Sequence, residues 1–186
     1  MIMTSRLRKV ALASHITLAV GWIGAVAGYL ALDVAVATSQ NAQTLRAAYL
    51  AMELIAWNVI VPLAIASLLS GLIMSLGTKW GLFRHYWVLI SLLLTIFATV
   101  VLLVETQTIN YFADIAADPT TSGDDLRALG NTLVHSVGGI AVLLVILVLN
   151  MYKPRGMTQY GWRKQQEQRR ASQRSKHDEQ RKVSQP

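Results

Sequence analysis

The chain has 186 residues, 53% of them hydrophobic and 15% charged, with a mean hydropathy of +0.41; this lies outside ordinary soluble domains and implies a solvent that is partly lipid. Its formal charge of +7 does not mark a nucleic-acid binder, because residues 153–186 carry ten Lys/Arg against three acids and residues 1–152 are neutral overall. There is no cysteine, which excludes disulfides, thiolate metal sites, iron–sulfur clusters and thiol catalysis.

Charged residues leave four long gaps, at 10–32, 54–78, 85–104 and 128–152. Each can cross a hydrocarbon core of about 30 Å, which takes roughly 20 helical residues. The first gap follows Arg6, Arg8 and Lys9 and contains Ala25-Val26-Ala27, a small-residue pattern found at signal cleavage sites. A signal's apolar region usually runs about 7–15 residues, so the longer charge-free run reads as a retained span over 7–36. Ser39-Gln40-Asn41 supplies a stop and an N-cap for span two, 42–76, in which Pro62 removes a backbone donor and predicts a kink.

Gly77 and Gly81, with Lys79 and Trp80 between them, predict a tight turn into span three, 83–104, and the following stretch to Ala117 keeps a helical composition. Asp118-Pro119-Thr120-Thr121-Ser122-Gly123 is a loop, after which Ser122 or Asp124 caps span four, predicted over 124–152 and ended by Lys153-Pro154-Arg155-Gly156. The tail 158–186 has no apolar stripe and reads as disordered or transiently helical, with anionic lipid headgroups as its expected neighbour and only Tyr160 and Trp162 available to stack on a base. The fold class is all-α: a polytopic four-helix transmembrane bundle, residues 1–157, with a basic tail.

Lys and Arg near the span ends orient the bundle. Arg6, Arg8 and Lys9, then Lys79 and Arg84, then Lys153 and Arg155 fall on one side, whereas the two loops opposite carry only Arg46 and Arg127. Both termini are therefore expected in the cytoplasm of a bacterial cell, the protein sitting in its inner membrane. Trp57, Trp80, Trp87, Tyr86, Tyr111 and Tyr152 fall near the expected interfaces, and Trp22 falls within span one.

Ionisable groups inside a span need a partner. The orientation divides them in two. His15 and His85 lie toward the cytoplasmic side, where a neutral imidazole can be an axial ligand of haem iron; Gly21, Gly24 and Gly28 beside His15 and Trp22 leave room for either a close helix or a flat macrocycle. Asp33, Glu53, Glu105 and His135 lie toward the outer side, a donor set suited to a divalent metal such as Zn or to relaying protons. The plainer alternatives are a His bonded to a neighbouring helix and carboxylates hydrated at the interface.

The run His15-Ile-Thr-Leu-Ala-Val-Gly-Trp22-Ile-Gly24 resembles the first helix of HemJ-type protoporphyrinogen oxidases and of CopD-like copper-resistance membrane proteins. A HemJ-like relationship implies haem b or another tetrapyrrole and a later His-x-Lys pair; Trp87-Val88-Leu89-Ile90-Ser91-Leu92 has neither residue. Ala47-Ala48-Tyr49-Leu50-Ala51-Met52-Glu53, Gly81-Leu82-Phe83-Arg84-His85-Tyr86-Trp87 and Tyr152-Lys153-Pro154-Arg155-Gly156 resemble predicted integral membrane proteins of actinobacteria, which implies a fold and a location without an activity.

The sequence contains no complete catalytic constellation. It reads first as a non-catalytic membrane subunit or small-ligand binder, acting as a homo-oligomer or with a membrane partner protein. A tetrapyrrole binder using His15, and an ion or proton pathway through the outer group, are the alternatives.

Overall fold

The computed structural model describes residues 3–77, 81–154 and 156–183, and among these there are helices and one isolated antiparallel bridge but no strand. Helix α1 is Ser5–Thr38; α2, Ala42–Ile55, continues through a π turn, Ala56–Ile60, into α3, Val61–Gly77; α4 is Tyr86–Ala117, α5 Gly123–Ala128, α6 Leu133–Tyr152 and α7 Gln159–Val183. Four rods are long and apolar enough to cross a membrane: α1, the continuous Ala42–Gly77, α4 and α6. They form an up-down bundle in which α1 and α4 each pack against both the α2–α3 rod and α6.

Only 11% of the apolar window of α1, and the same share of α6, is buried inside the bundle. A water-soluble bundle hides its apolar stripe, so apolar side chains such as Val20, Leu93, Val104 and Val145 that face outward mark a surface made for lipid.

Local chemistry sets the ends of the rods. Asn41 Oδ1 accepts from the Gln43 and Thr44 amides at 2.8 and 3.2 Å, capping α2. Span three does not stop at 104 but runs unbroken to Ala117. The turn before it falls on Thr78, Lys79 and Trp80, outside the described residues; beyond them Gly81 sits at φ +62°, a left-handed conformation that suits glycine.

One expectation changes. Span four does not run from 124: Ser122 and Asp125 form a reciprocal capping box on the six-residue α5, and the chain then breaks and restarts at Thr132, the N-cap of α6. The cause is Gly130 at φ +86°, a left-handed residue that ends one helix just ahead of the Asn131-Thr132 pair that begins the next. The described part of the tail is helical over Gln159–Val183; its Gln, Arg, Lys and Glu residues are good helix formers, and α7 carries an exposed Lys164–Glu167 pair at 2.9 Å.

Pro62 acts through register. The Val61 amide reaches back to the Ala56 carbonyl, one residue further than an α-helix allows, and this wide turn accommodates the proline that follows. The π turn faces the bundle interior with Ala56 and Ile60 buried.

Candidate functional site

The inward face of α1 is a stripe at alternating spacings of four and three: Trp22, Val26, Tyr29, Asp33 and Val36, all buried. That 3.5-residue period keeps one seam facing the partner helices. Trp22, Val26 and Tyr29 form one wall of a cavity of about 230 Å³, whose other walls come from the π turn, α4 and α6. Gly138 thins the α6 wall, and a Cβ there would meet nothing within 4 Å among the described residues.

The lining is apolar except at one end, where Glu105, His135, Thr132 and Tyr29 gather. The Glu105 side chain is 14% exposed and lies 3.4 Å, Oε1 to Nδ1, from His135, which is 54% exposed. Charge-assisted contacts are usually about 2.7–2.9 Å, so this pair is loose.

Behind that end sits Asp33, which has no exposed surface. Its Oδ1 accepts from the Thr132 backbone amide at 3.0 Å and from the Thr132 hydroxyl at 2.8 Å, with Oδ2 3.0 Å from the same hydroxyl. The Tyr29 hydroxyl lies 2.9 Å from Thr132 Oγ1, and with the threonine proton given to Asp33 it is Tyr29 that donates. A buried carboxyl is costly unless it is bonded. Here two donors and the positive end of α6 offset the cost.

Neighbouring side chains hold the α5–α6 joint in place. Tyr49 donates to the Gly130 carbonyl at 2.6 Å, with the Leu126 carbonyl at 3.3 Å beside it. Arg46 donates to the carbonyls of Ala116, Asp118 (2.6 Å) and Thr121 (3.1 Å), closing the C-terminus of α4, where a cation is favourable. Arg127 bonds the Gln40 carbonyl at 3.1 Å and Asp124 at 2.5 Å.

Compared with protein-family models, with curated proteins and with solved structures, the chain matches none.

The outer four residues expected as metal ligands are divided. Glu105 pairs with His135, Asp33 is committed to Thr132, and Glu53 is half-buried in α2 outside the cavity lining. Among the described residues no three His, Asp or Glu side chains are placed to hold a metal ion.

The set of His15, Trp22 and His85 is divided too, since only Trp22 lines the cavity. His15 Nδ1 lies 2.8 Å from Ser70 Oγ, and its ring packs on Gly71, where a Cβ would stand 3.2 Å from Cε1. His85 sits at the N-cap of α4 in a backbone joint: it bridges Met157, the Tyr86 amide reaches the Gly156 carbonyl at 3.3 Å, and its ring lies 6.5 Å from that of Trp87.

The glycines beside His15 do not serve it. Gly21 faces Leu63, while Gly24 and Gly28 are exposed and a Cβ at either would meet nothing within 4 Å among the described residues. Trp87, expected at an interface, is buried.

Tyr29, Thr132, Tyr49 and Arg46 belong to the site beyond the residues expected from the sequence. Tyr29 and Asp33 share the spacing that links Trp22 to Val36, and Gly130-Asn131-Thr132 carries a helix stop and start. Those two signals reach the site's backbone. The pairing of Tyr49 and Arg46 with carbonyls about 70 to 80 residues away has no local signature.

Proposed function

We propose that this chain is a multi-pass protein of a bacterial inner membrane that takes a small amphipathic molecule from the bilayer into the cavity between α1, the π turn, α4 and α6, and binds it without transforming it. The observation that carries this reading is the cavity itself: apolar walls with a single polar end at Glu105, His135 and Thr132, the pattern by which a few polar groups orient a ligand in a hydrophobic site. Glu105 and His135 face each other rather than a nucleophilic hydroxyl, and the Ser136 hydroxyl is given to the Leu133 carbonyl at 3.1 Å. That arrangement supports binding over turnover.

The Lys/Arg asymmetry supports cytoplasmic termini. It also favours anionic headgroups as the neighbour of α7, at about 1 kcal/mol per basic residue near the surface, with Tyr160 and Trp162 exposed at its base. The tetrapyrrole reading has less behind it. The cavity of about 230 Å³ is smaller than the roughly 300–1,000 Å³ of sites that enclose drug-sized ligands, and neither His15 nor His85 lines it. A proton pathway also lacks support, because the wall beyond Glu105 is built from Trp22, Val26 and Ile60.

The test is equilibrium binding of neopentylbenzene to the full chain in phosphatidylcholine nanodiscs, beside a Gly138→Leu variant that fills open space in the cavity. Saturable binding to the wild type, lost in the variant, is expected. Equal uptake by both would mean that the probe only partitions into lipid, and the reading would fall.

A further inference from the structure

Resting on that reading, we propose that the molecule bound in the cavity is a lipophilic cation: an apolar body ending in an ammonium group that sits against the Glu105 carboxylate.

The charge distribution makes the case. Among the described residues Glu105 is the carboxylate of the lining, and no Lys or Arg contributes to it. The two arginines of this end are occupied elsewhere, Arg46 on the carbonyls after α4 and Arg127 on Gln40 and Asp124. A second carboxyl, Asp33, stands directly behind the Thr132 hydroxyl that forms part of the wall. An anion entering here would meet the Glu105 carboxylate in a poorly screened setting, where like charges repel far more strongly than in water. A cation meets the opposite field.

His135 occupies the place such a cation would take, but weakly. Its separation from Glu105 is 3.4 Å and its side chain is more than half exposed, so an ammonium can displace it without leaving a buried imidazole unpaired. The rings of Trp22, Tyr29 and Phe97 line the same space. Aromatic faces attract a desolvated cation where a carboxylate alone would leave part of its surface unsatisfied.

Entry is lateral. Val134 is 81% exposed, and Phe97 and His135 are also exposed while lining the cavity, so the mouth opens on the surface where the bundle meets lipid. Amphiphiles with a charged head and an apolar body concentrate at that boundary.

The experiment uses the full chain in zwitterionic phosphatidylcholine nanodiscs and three probes of nearly one shape: benzyltrimethylammonium, its neutral isostere neopentylbenzene, and the anion phenylmethanesulfonate. The wild type should bind the cation about tenfold more tightly than the neutral probe, a difference of about 1.4 kcal/mol, and the anion more weakly than either. Glu105→Gln should lose the cation's advantage over the neutral probe. His135→Ala, at an exposed position, should bind the cation more tightly because it frees the carboxylate.

Equal affinity for cation and neutral probe in the wild type overturns the cation assignment and leaves the cavity reading standing. So does a cation advantage that survives in Glu105→Gln, or a cation affinity that does not rise in His135→Ala. Failure of all three probes to bind saturably overturns the cavity reading as well.

Discussion

At the end of the bundle where α1 finishes and α2 begins, side chains from α1, α2, α4 and α5 close on one another: Val36, Leu45, Tyr49, Met52, Ala113, Ala116 and Leu126 are all buried, and Tyr49 meets Phe112 edge-on at 5.5 Å. At the opposite end the rods meet through His15 and Ser70, through the Met3 amide on the Gly77 carbonyl at 3.2 Å, and through the joint of residues 81–86 with 156–158, where Thr158 bonds the Phe83 and Arg84 carbonyls. Helix α4 has 32 residues and is about 48 Å long at 1.5 Å per residue, longer than a hydrocarbon core of about 30 Å. Where helices meet in water, apolar burial drives packing; where they meet in lipid, close contacts and hydrogen bonds hold them instead.

The comparison can be broken most severely at Leu126, which is wholly buried in the well-packed end. Leu126→Ala should destabilise by about 2–5 kcal/mol, measured as chemical unfolding in detergent. Asp33→Ala comes next, at about 1–3 kcal/mol, because it strands the Thr132 amide and hydroxyl without an acceptor. Asp33→Asn should recover part of the loss, since an amide oxygen can still accept from both groups.

The other end responds with the opposite sign. Ser91 Oγ is buried without a hydrogen-bond partner among the described residues, so Ser91→Ala should stabilise by up to about 1 kcal/mol. A destabilised variant would show that the hydroxyl has a use.

The smallest effect concerns pH. The side chain and then the backbone of Thr120 hydrogen-bond Asp118 and hold its carboxyl below the usual carboxylate range. A depressed acid contributes stability that is fully present above its unfolded value and is lost as pH falls through the folded one. Acid titration should therefore weaken the wild-type loop after α4 more than that of Asp118→Asn, read by amide exchange of Thr120.

Much of this architecture could be read from local patterns. The charge-free gaps mark the rods, Asn41 marks the cap of the second, and the 22-26-29-33-36 spacing marks the inward face of α1. The break at Gly130 was also written locally, but the surrounding apolar residues concealed it behind a run that could serve as one long helix. The division of the polar residues was not legible at all. Asp33 and Glu105 look alike as acids near the outer ends of spans, yet one is enclosed against Thr132 while the other closes a cavity with His135.

What the sequence by itself determined is the number of rods and the neutrality of everything before the basic tail, because apolar runs and charge spacing act locally and need no partner. Only the tertiary structure decided that Trp22 shares a cavity with Glu105 and His135 while His15 turns to Ser70. Which side chains meet depends on how each helix is rotated about its axis. In a membrane, where lipid accepts any apolar face, that rotation is set by a few packed and hydrogen-bonded contacts between distant residues.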